Sequence, residues 1–191
     1  YITLRDKESK ELVKSIGVTK KIDIVPDPVM GFNIDSLSFD IKESYKNKDY
    51  VIISIRDWKN SNTSFLKDIA TTCDKIIDNG VDVVFIPMHG EHDEKTSKKV
   101  TSIMKQKATI LSKNLTMEEK MIYIKNSKLV IGMRLHALIF SATVGTPMIG
   151  ISYDPKVDSY LELINQPSIG NVEVGWDPIE LANKSLDIVA N

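Results

Sequence analysis

A single cysteine in 191 residues, Cys73, excludes any disulfide within the chain and fits a reducing compartment. It falls in a helical pattern and reads as a small buried hydrophobe. No apolar run reaches the ~20 residues that a membrane span needs, and no secretory signal is recognisable. An excess of either charge sign is also lacking, since 25 Lys and Arg stand against 26 Asp and Glu. Broad electrostatic attraction to nucleic acid or an anionic membrane is thereby excluded, and any anion site must be a local cluster of cations. The phosphate loop G-x-x-x-x-G-K-[ST] is missing, and no G-x-G-x-x-G follows a strand. "GISYD" at 150–154 lacks the G-x-S-x-G spacing of a nucleophile elbow. Internal repeats and low-complexity tracts are absent too.

What is present is a globular composition, 42% hydrophobic, in a chain long enough to bury a core. Helix and strand patterns alternate. "KIDIV", "YVIISI", "VDVVFIP", "ATIL", "KLVIG" and "PMIGIS" are short strands rich in Val and Ile. "DKESKELVKSIG" is a helix capped by Asp6 and closed by Gly17. "SNTSFLKDIATTCDKIIDNG" is an amphipathic helix, and a polar helix covers roughly 93–106 after the loop "MHGEHD". "TMEEKMIYIKNS" opens with a capping box, Thr116 with Glu119. "LHALIFSATVG" is a buried helix ending at Gly145, and Asp154-Pro155 and Asp177-Pro178 each start another. "PDPVMGF" reads as a loop, and the polar stretch 35–49 as a linker or surface segment. Buried strands alternating with helices predict a doubly wound, Rossmann-like α/β fold with a parallel sheet. The expected organisation is a remnant of a preceding α/β domain over 1–33, the Rossmann-like domain over 34–175 and a terminal helix over 176–191. The strand-like start at Tyr1, without Met, leads to the expectation that an N-terminal portion is missing.

Ligands of open α/β sheets bind beyond the carboxyl ends of the strands. Arg56 follows "YVIIS" and His89 follows "VVFIP". Arg134 and His136 follow "LVIG", and Tyr153, Asp154 and Lys156 follow "MIGIS". Four strands thus deliver a cation or an imidazole to one edge, which points to a small anion. Unpaired backbone N–H groups at the start of the 135–144 helix would add to that field. Each residue has a second reading. Arg134 reads also as a structural ion pair, His136 as a core histidine, Arg56 as a surface partner of Asp57, and Lys156 as simply exposed. Ser54, Trp58 and Tyr153 line a pocket or only pack. His89 and His92 in "MHGEHDE" lack the i, i+4 spacing of a zinc pair, so no metal site is expected and one working histidine is. "TSKKVTSIMKQK" reads as a solvated helix face.

"GMRLHALIFSATVGTPMIGISYDPKV", with "SIRDW", "FIPMH…D" and "TLRDKESKELVKSIGV", resembles the polysaccharide pyruvyl transferase family, closest to the bacterial branch that decorates secondary cell-wall polymers for S-layer attachment. The resemblance runs from Thr3 to about Ile164. It implies the C-terminal half of a glycosyltransferase-B-like, two-domain enzyme. It also implies a reaction in which phosphoenolpyruvate gives its three-carbon unit to two hydroxyls of one sugar, of the N-acetylmannosamine type, as a cyclic ketal with release of phosphate. The motif match implies that Arg134 and His136 are the family's R-L-H pair, Arg56 the arginine of the S-x-R-x-W strand end, and Lys156 the lysine of Y-D-P-K. Arg5, in R-D-x-x-S, Ser54 and Tyr153 join the substrate-binding set. His136 is the expected general acid and His89 its reserve. No cofactor is expected beyond phosphoenolpyruvate as donor substrate. The expected acceptor is a lipid-linked glycan, the expected location the cytoplasm with contact at the inner membrane face, and the chain alone is expected to turn over little. Two other readings stand beside this one: a nucleotide-sugar glycosyltransferase or epimerase, and a non-catalytic sugar- or anion-binding module.

Overall fold

A computed structural model describes residues 1–34, 41, 45, 46, 48–59 and 64–191. They form two units, Tyr1–Phe32 and Asn33–Asn191. In the first, β1 (Ile2–Leu4) and β2 (Ile22–Ile24) pair in parallel around α1 (Lys7–Ser15). The Asp6 carboxylate accepts from the Ser9 N–H at 2.6 Å and caps α1. The expected loop after β2 contains a 3-10 turn, Pro28–Gly31, capped by Asp27.

The second unit holds a six-stranded, all-parallel sheet in the order β5-β4-β3-β6-β7-β8. The strands are β3 (Tyr50–Ser54), β4 (Asp82–Phe85), β5 (Thr109–Ile110), β6 (Leu129–Gly132), β7 (Met148–Ser152) and β8 (Ser168–Asn171). Every residue of β3, β6 and β7 is buried, because helices cover both faces of the sheet. α2 (Phe65–Asp78) packs with α3 (Gly90–Ile103) and α7 (Pro178–Ala190). α5 (Leu135–Val144) packs with α4 (Met117–Lys125) and α6 (Pro155–Leu163). The chain leaves β3 toward β4 on one side and β6 toward β7 on the other. The switch point of the sheet therefore lies between β3 and β6.

Local signals account for the element ends. Thr116 and Glu119 form the reciprocal capping box of α4. Asp154 and Asp177 cap α6 and α7 ahead of a proline in the first turn. Gly145 ends α5 at φ 75°, a conformation that glycine adopts without steric cost. Four expectations need correction. The helix after "FIPMH" begins at Gly90, so most of the expected loop "MHGEHD" is helical. β8 was not expected at all. Its polar, glycine-containing "SIGN" carries no strand pattern, and its edge position with a register irregularity explains why none is needed. The loop after β2 is partly 3-10. Finally, within the polar stretch 35–49, Ile41 is buried and the Tyr45 ring packs edge-on against Tyr50 and Tyr123. Ile41 joins the core and Tyr45 is half-buried against it, while 35–40, 42–44 and 47 lie outside the described residues, as do 60–63 ahead of α2.

Candidate functional site

The two strands that flank the switch point end in the two arginines. β3 and β6 run in register to Ser54 opposite Gly132, and the Met133 N–H donates to the Ser54 carbonyl at 2.7 Å. Arg56 and Arg134 follow, and both line a cavity of about 550 Å³. α3 and its entry supply the facing wall with His89, His92, Lys95 and Lys99. Residues 92, 95, 96 and 99 recur at helical spacing, so one face of α3 turns toward the cavity. Four Lys and Arg side chains and two imidazoles meet only two carboxylates in the lining, those of Asp57 and Asp93. The local excess of positive charge contrasts with a chain whose net charge is −1.

The two arginines are held differently. Arg134 makes a two-point ion pair with Asp93: its Nε donates to Oδ2 at 3.0 Å and its Nη2 to Oδ1. Asp93 is 1% exposed, and its Oδ2 also accepts from the backbone N–H groups of Met88 at 3.1 Å and His89 at 2.8 Å. Behind this turn, the buried Lys120 ammonium donates to the Met88 carbonyl at 3.3 Å. Desolvation holds the Lys120 ammonium below the usual lysine range, and Asp93 partly opposes that shift. Arg56, by contrast, has no ion pair among the described residues. Its guanidinium carbon lies 5.0 Å from the Trp58 ring centre and 5.2 Å from that of Tyr153. These two rings meet edge to face at 4.8 Å. Arg56 Nε and Trp58 Nε1 are buried without hydrogen-bond partners among the described residues. Asp57 pairs with Lys99 at 3.0 Å instead of Arg56, so the surface-pair reading of Arg56 does not hold.

Of the remaining candidates, only His89 lies in the lining of this cavity. His136, in the first turn of α5, is exposed, with its ring 6.2 Å from Phe140. That exposure removes the core-histidine reading. Lys156 is exposed, pairs with Asp154 at 3.2 Å, and lies 5.6 Å from the Tyr153 ring. Tyr153 is 7% exposed and serves as a packing surface for both cations. Ser54 is fully buried, and its hydroxyl has no partner among the described residues. Arg5 lies in the first unit, where it pairs with Asp27 at 3.4 Å. His89 faces the cavity and lies 5.6 Å from His92, ring centre to ring centre.

Lys95 and Lys99 were not singled out from the sequence, and Asp93 entered only as the last residue of "FIPMH…D", without a role. Asp93 stands 41 residues from Arg134, and no local pattern marks that pair. Among the described residues, no group of three or more His, Cys, Asp or Glu is placed to hold a metal ion. No helix among them is long and apolar enough to cross a membrane.

A sequence profile of the polysaccharide pyruvyl transferase family matches residues 1–155. The chain belongs to this family. No curated protein matches it. Among solved structures, the UDP-GlcNAc 2-epimerase of Methanocaldococcus jannaschii in complex with UDP-GlcNAc and UDP is 17% identical with a TM-score of 0.67, over 96% of this chain and 52% of that one. The Staphylococcus aureus MnaA–UDP structure is 13% identical with a TM-score of 0.69, over 96% and 50%. A family 9 glycosyl transferase of Veillonella parvula is 11% identical with a TM-score of 0.63, over 81% and 54%. At these identities the likeness concerns the fold, that of one half of a glycosyltransferase-B-type enzyme. The chain spans about half the length of these structures.

Proposed function

We propose that the cavity binds the donor of a pyruvyl transfer, phosphoenolpyruvate, and that the whole protein moves its three-carbon unit onto two hydroxyls of a polysaccharide sugar as a cyclic ketal. The observation that carries this reading is the cationic cavity at the switch point, with Arg134 ion-paired and Arg56 without an ion pair among the described residues. The donor has a dianionic phosphate and a monoanionic carboxylate. Arg56, without a carboxylate partner among the described residues, suits the phosphate. The free Nη1 edge of Arg134 suits the carboxylate. Lys95, paired with Glu91 at 2.9 Å, and Lys99, paired with Asp57, flank the place of the departing phosphate.

His89 faces the cavity and takes the proton-donor role in this scheme, with His136 on the same strand-end edge beyond the lining. Its imidazolium gives a proton to the methylene carbon of the donor, and cationic character develops at the central carbon. A sugar hydroxyl bonds there and loses its proton. Phosphate leaves with the electron pair of its C–O bond. The second hydroxyl then closes the ring and loses its own proton. One of those two protons restores the imidazolium and the other remains on phosphate. No cofactor enters this scheme. The acceptor is a lipid-linked glycan of the cell-wall type, met at the inner membrane face, and the 191-residue chain alone binds donor but turns over little.

The UDP in the structures of two fold neighbours suggests the alternative of a nucleotide-sugar enzyme. Such a site needs a free aromatic face for the base, whereas Tyr153 already meets the Arg56 and Lys156 cations and Trp58 meets Arg56. Thermal unfolding with each ligand separates the two readings. Ligand at 100 times its Kd adds about 2.7 kcal/mol, or roughly 5–10 °C for a chain of this size. Phosphoenolpyruvate is expected to raise the midpoint and UDP to leave it unchanged. The reverse pattern would favour the nucleotide-sugar reading.

A further inference from the structure

We propose that Asp93 is a positioning residue that fixes Arg134 and the Met88–His89 turn as one wall of the cavity. The inference rests on the donor reading above for its functional consequence, but the geometry stands without it. One buried carboxylate oxygen, Oδ2, takes three donors: the N–H groups of Met88 and His89 and Nε of Arg134. Oδ1 takes Nη2 of the same guanidinium. Three separate segments therefore meet on one side chain: the turn after β4, the start of α3 and the turn after β6. Lys120, from α4, closes the arrangement from behind through the Met88 carbonyl.

Two consequences follow for chemistry. The Nε–Nη2 edge of Arg134 is used by Asp93, so a ligand anion meets the guanidinium through Nη1 and the remaining N–H of Nη2. Arg134 is thus an oriented donor whose charge is already balanced, while Arg56 has no ion pair among the described residues. An arginine held in advance needs no ordering when the ligand arrives. The same carboxylate sets the backbone from which the His89 imidazole projects into the cavity. Asp93 need not touch the ligand to do this, because its carboxylate is saturated by protein donors.

The test uses the 191-residue chain with the variants Asp93→Asn, Arg134→Met and both together. Asparagine turns one acceptor into an N–H₂ donor facing the donors of Arg134 or of the turn. Two readouts are needed. The first is amide hydrogen exchange by NMR on the ligand-free protein. Asp93→Asn is expected to speed exchange at Met88 and His89 and to shift the Arg134 Nε–H signal, while β3 and β6 amides keep their protection. The second is phosphoenolpyruvate titration by calorimetry. Each single variant is expected to bind at least about tenfold more weakly, and the double variant no more weakly than the worse single one, because both changes undo the same arrangement. A purely structural Asp93 would lower the melting point and leave the affinity of the folded Asp93→Asn protein unchanged. That outcome, or unchanged exchange at Met88 and His89, would overturn the proposal. If the unaltered chain bound no phosphoenolpyruvate, the donor reading would fail while the exchange readout still decided the positioning role. Asp93→Glu serves if the asparagine variant does not fold. It keeps the charge but displaces it by one methylene, and the same exchange changes are expected.

Discussion

The Arg56 guanidinium lies 5.0 Å from the ring of Trp58, two residues on, and has no ion-pair partner among the described residues. Two aromatic rings, those of Trp58 and Tyr153, pack against this cation. The prediction concerns the ring and not the indole N–H. Trp58→Leu is expected to weaken phosphoenolpyruvate binding by about five- to tenfold, the equivalent of a partly desolvated cation–π contact. Trp58→Phe is expected to stay close to the unaltered protein. Calorimetric titration of both variants checks this, and equal losses would contradict a role for the ring face.

Tyr153 offers the matching contrast on the other side of Arg56. Tyr153→Phe keeps the ring that faces Arg56 and Lys156 and is expected to leave donor affinity unchanged within about twofold, since no cation–π face is lost. Tyr153→Leu removes the face and is expected to behave like Trp58→Leu. A large loss in the phenylalanine variant would instead assign the work to the hydroxyl.

Lys120 gives a pH-dependent signature. Burial disfavours its charged form in the folded protein, so the unfolded chain holds the proton more tightly. Protonation therefore opposes folding at neutral pH, and that penalty is relieved as pH rises through the folded value toward the ordinary lysine range. Lys120→Met removes the effect. Denaturant midpoints at pH 7 and pH 10 are expected to show the unaltered protein gaining on the variant at the higher pH. A constant difference between the two would contradict the burial argument.

Gly150 in β7 lies against the Leu161 side chain of α6, and a Cβ built at 150 would overlap Leu161 Cδ1. Leu161 is itself 1% exposed and has little room to move. Gly150→Ala is expected to destabilise the chain by about 1–3 kcal/mol through overpacking. Adding Leu161→Val is expected to recover part of that loss. Chemical denaturation of the single and double variants measures both.

Cys73 is fully buried in α2, and desolvation pushes its thiol well above the usual range. A thiol reagent at neutral pH is expected to leave the folded chain unmodified and to react with one equivalent after denaturation. Fast modification of the folded chain would contradict the packing of α2.

Much of the fold was legible because its signals are local. Five-residue runs such as Tyr50–Ser54, apolar at nearly every position, mark strands covered on both faces. Thr116 with Glu119, and Asp154 with Pro155, mark helix starts through hydrogen bonds that reach only a few residues. β8 escaped because an edge strand with an irregular register needs neither alternation nor a continuous apolar run. At the site, strand ends followed by cations were legible, and the structure brings Arg56, His89 and Arg134 to one cavity. Whether a strand-end residue points into that cavity was not legible, as the exposed His136 and the Asp154-paired Lys156 show. Asp93 looked like one more charge in a polar loop. Its carboxylate is paired by Arg134, which a different strand supplies.

A crystal structure of the chain soaked with phosphoenolpyruvate tests the central claim most directly. The phosphate is expected against Arg56 and the carboxylate against Nη1 of Arg134, with the methylene carbon toward His89. A donor bound away from the ends of β3 and β6, or a cavity that stays empty of donor at saturating concentration, would contradict it.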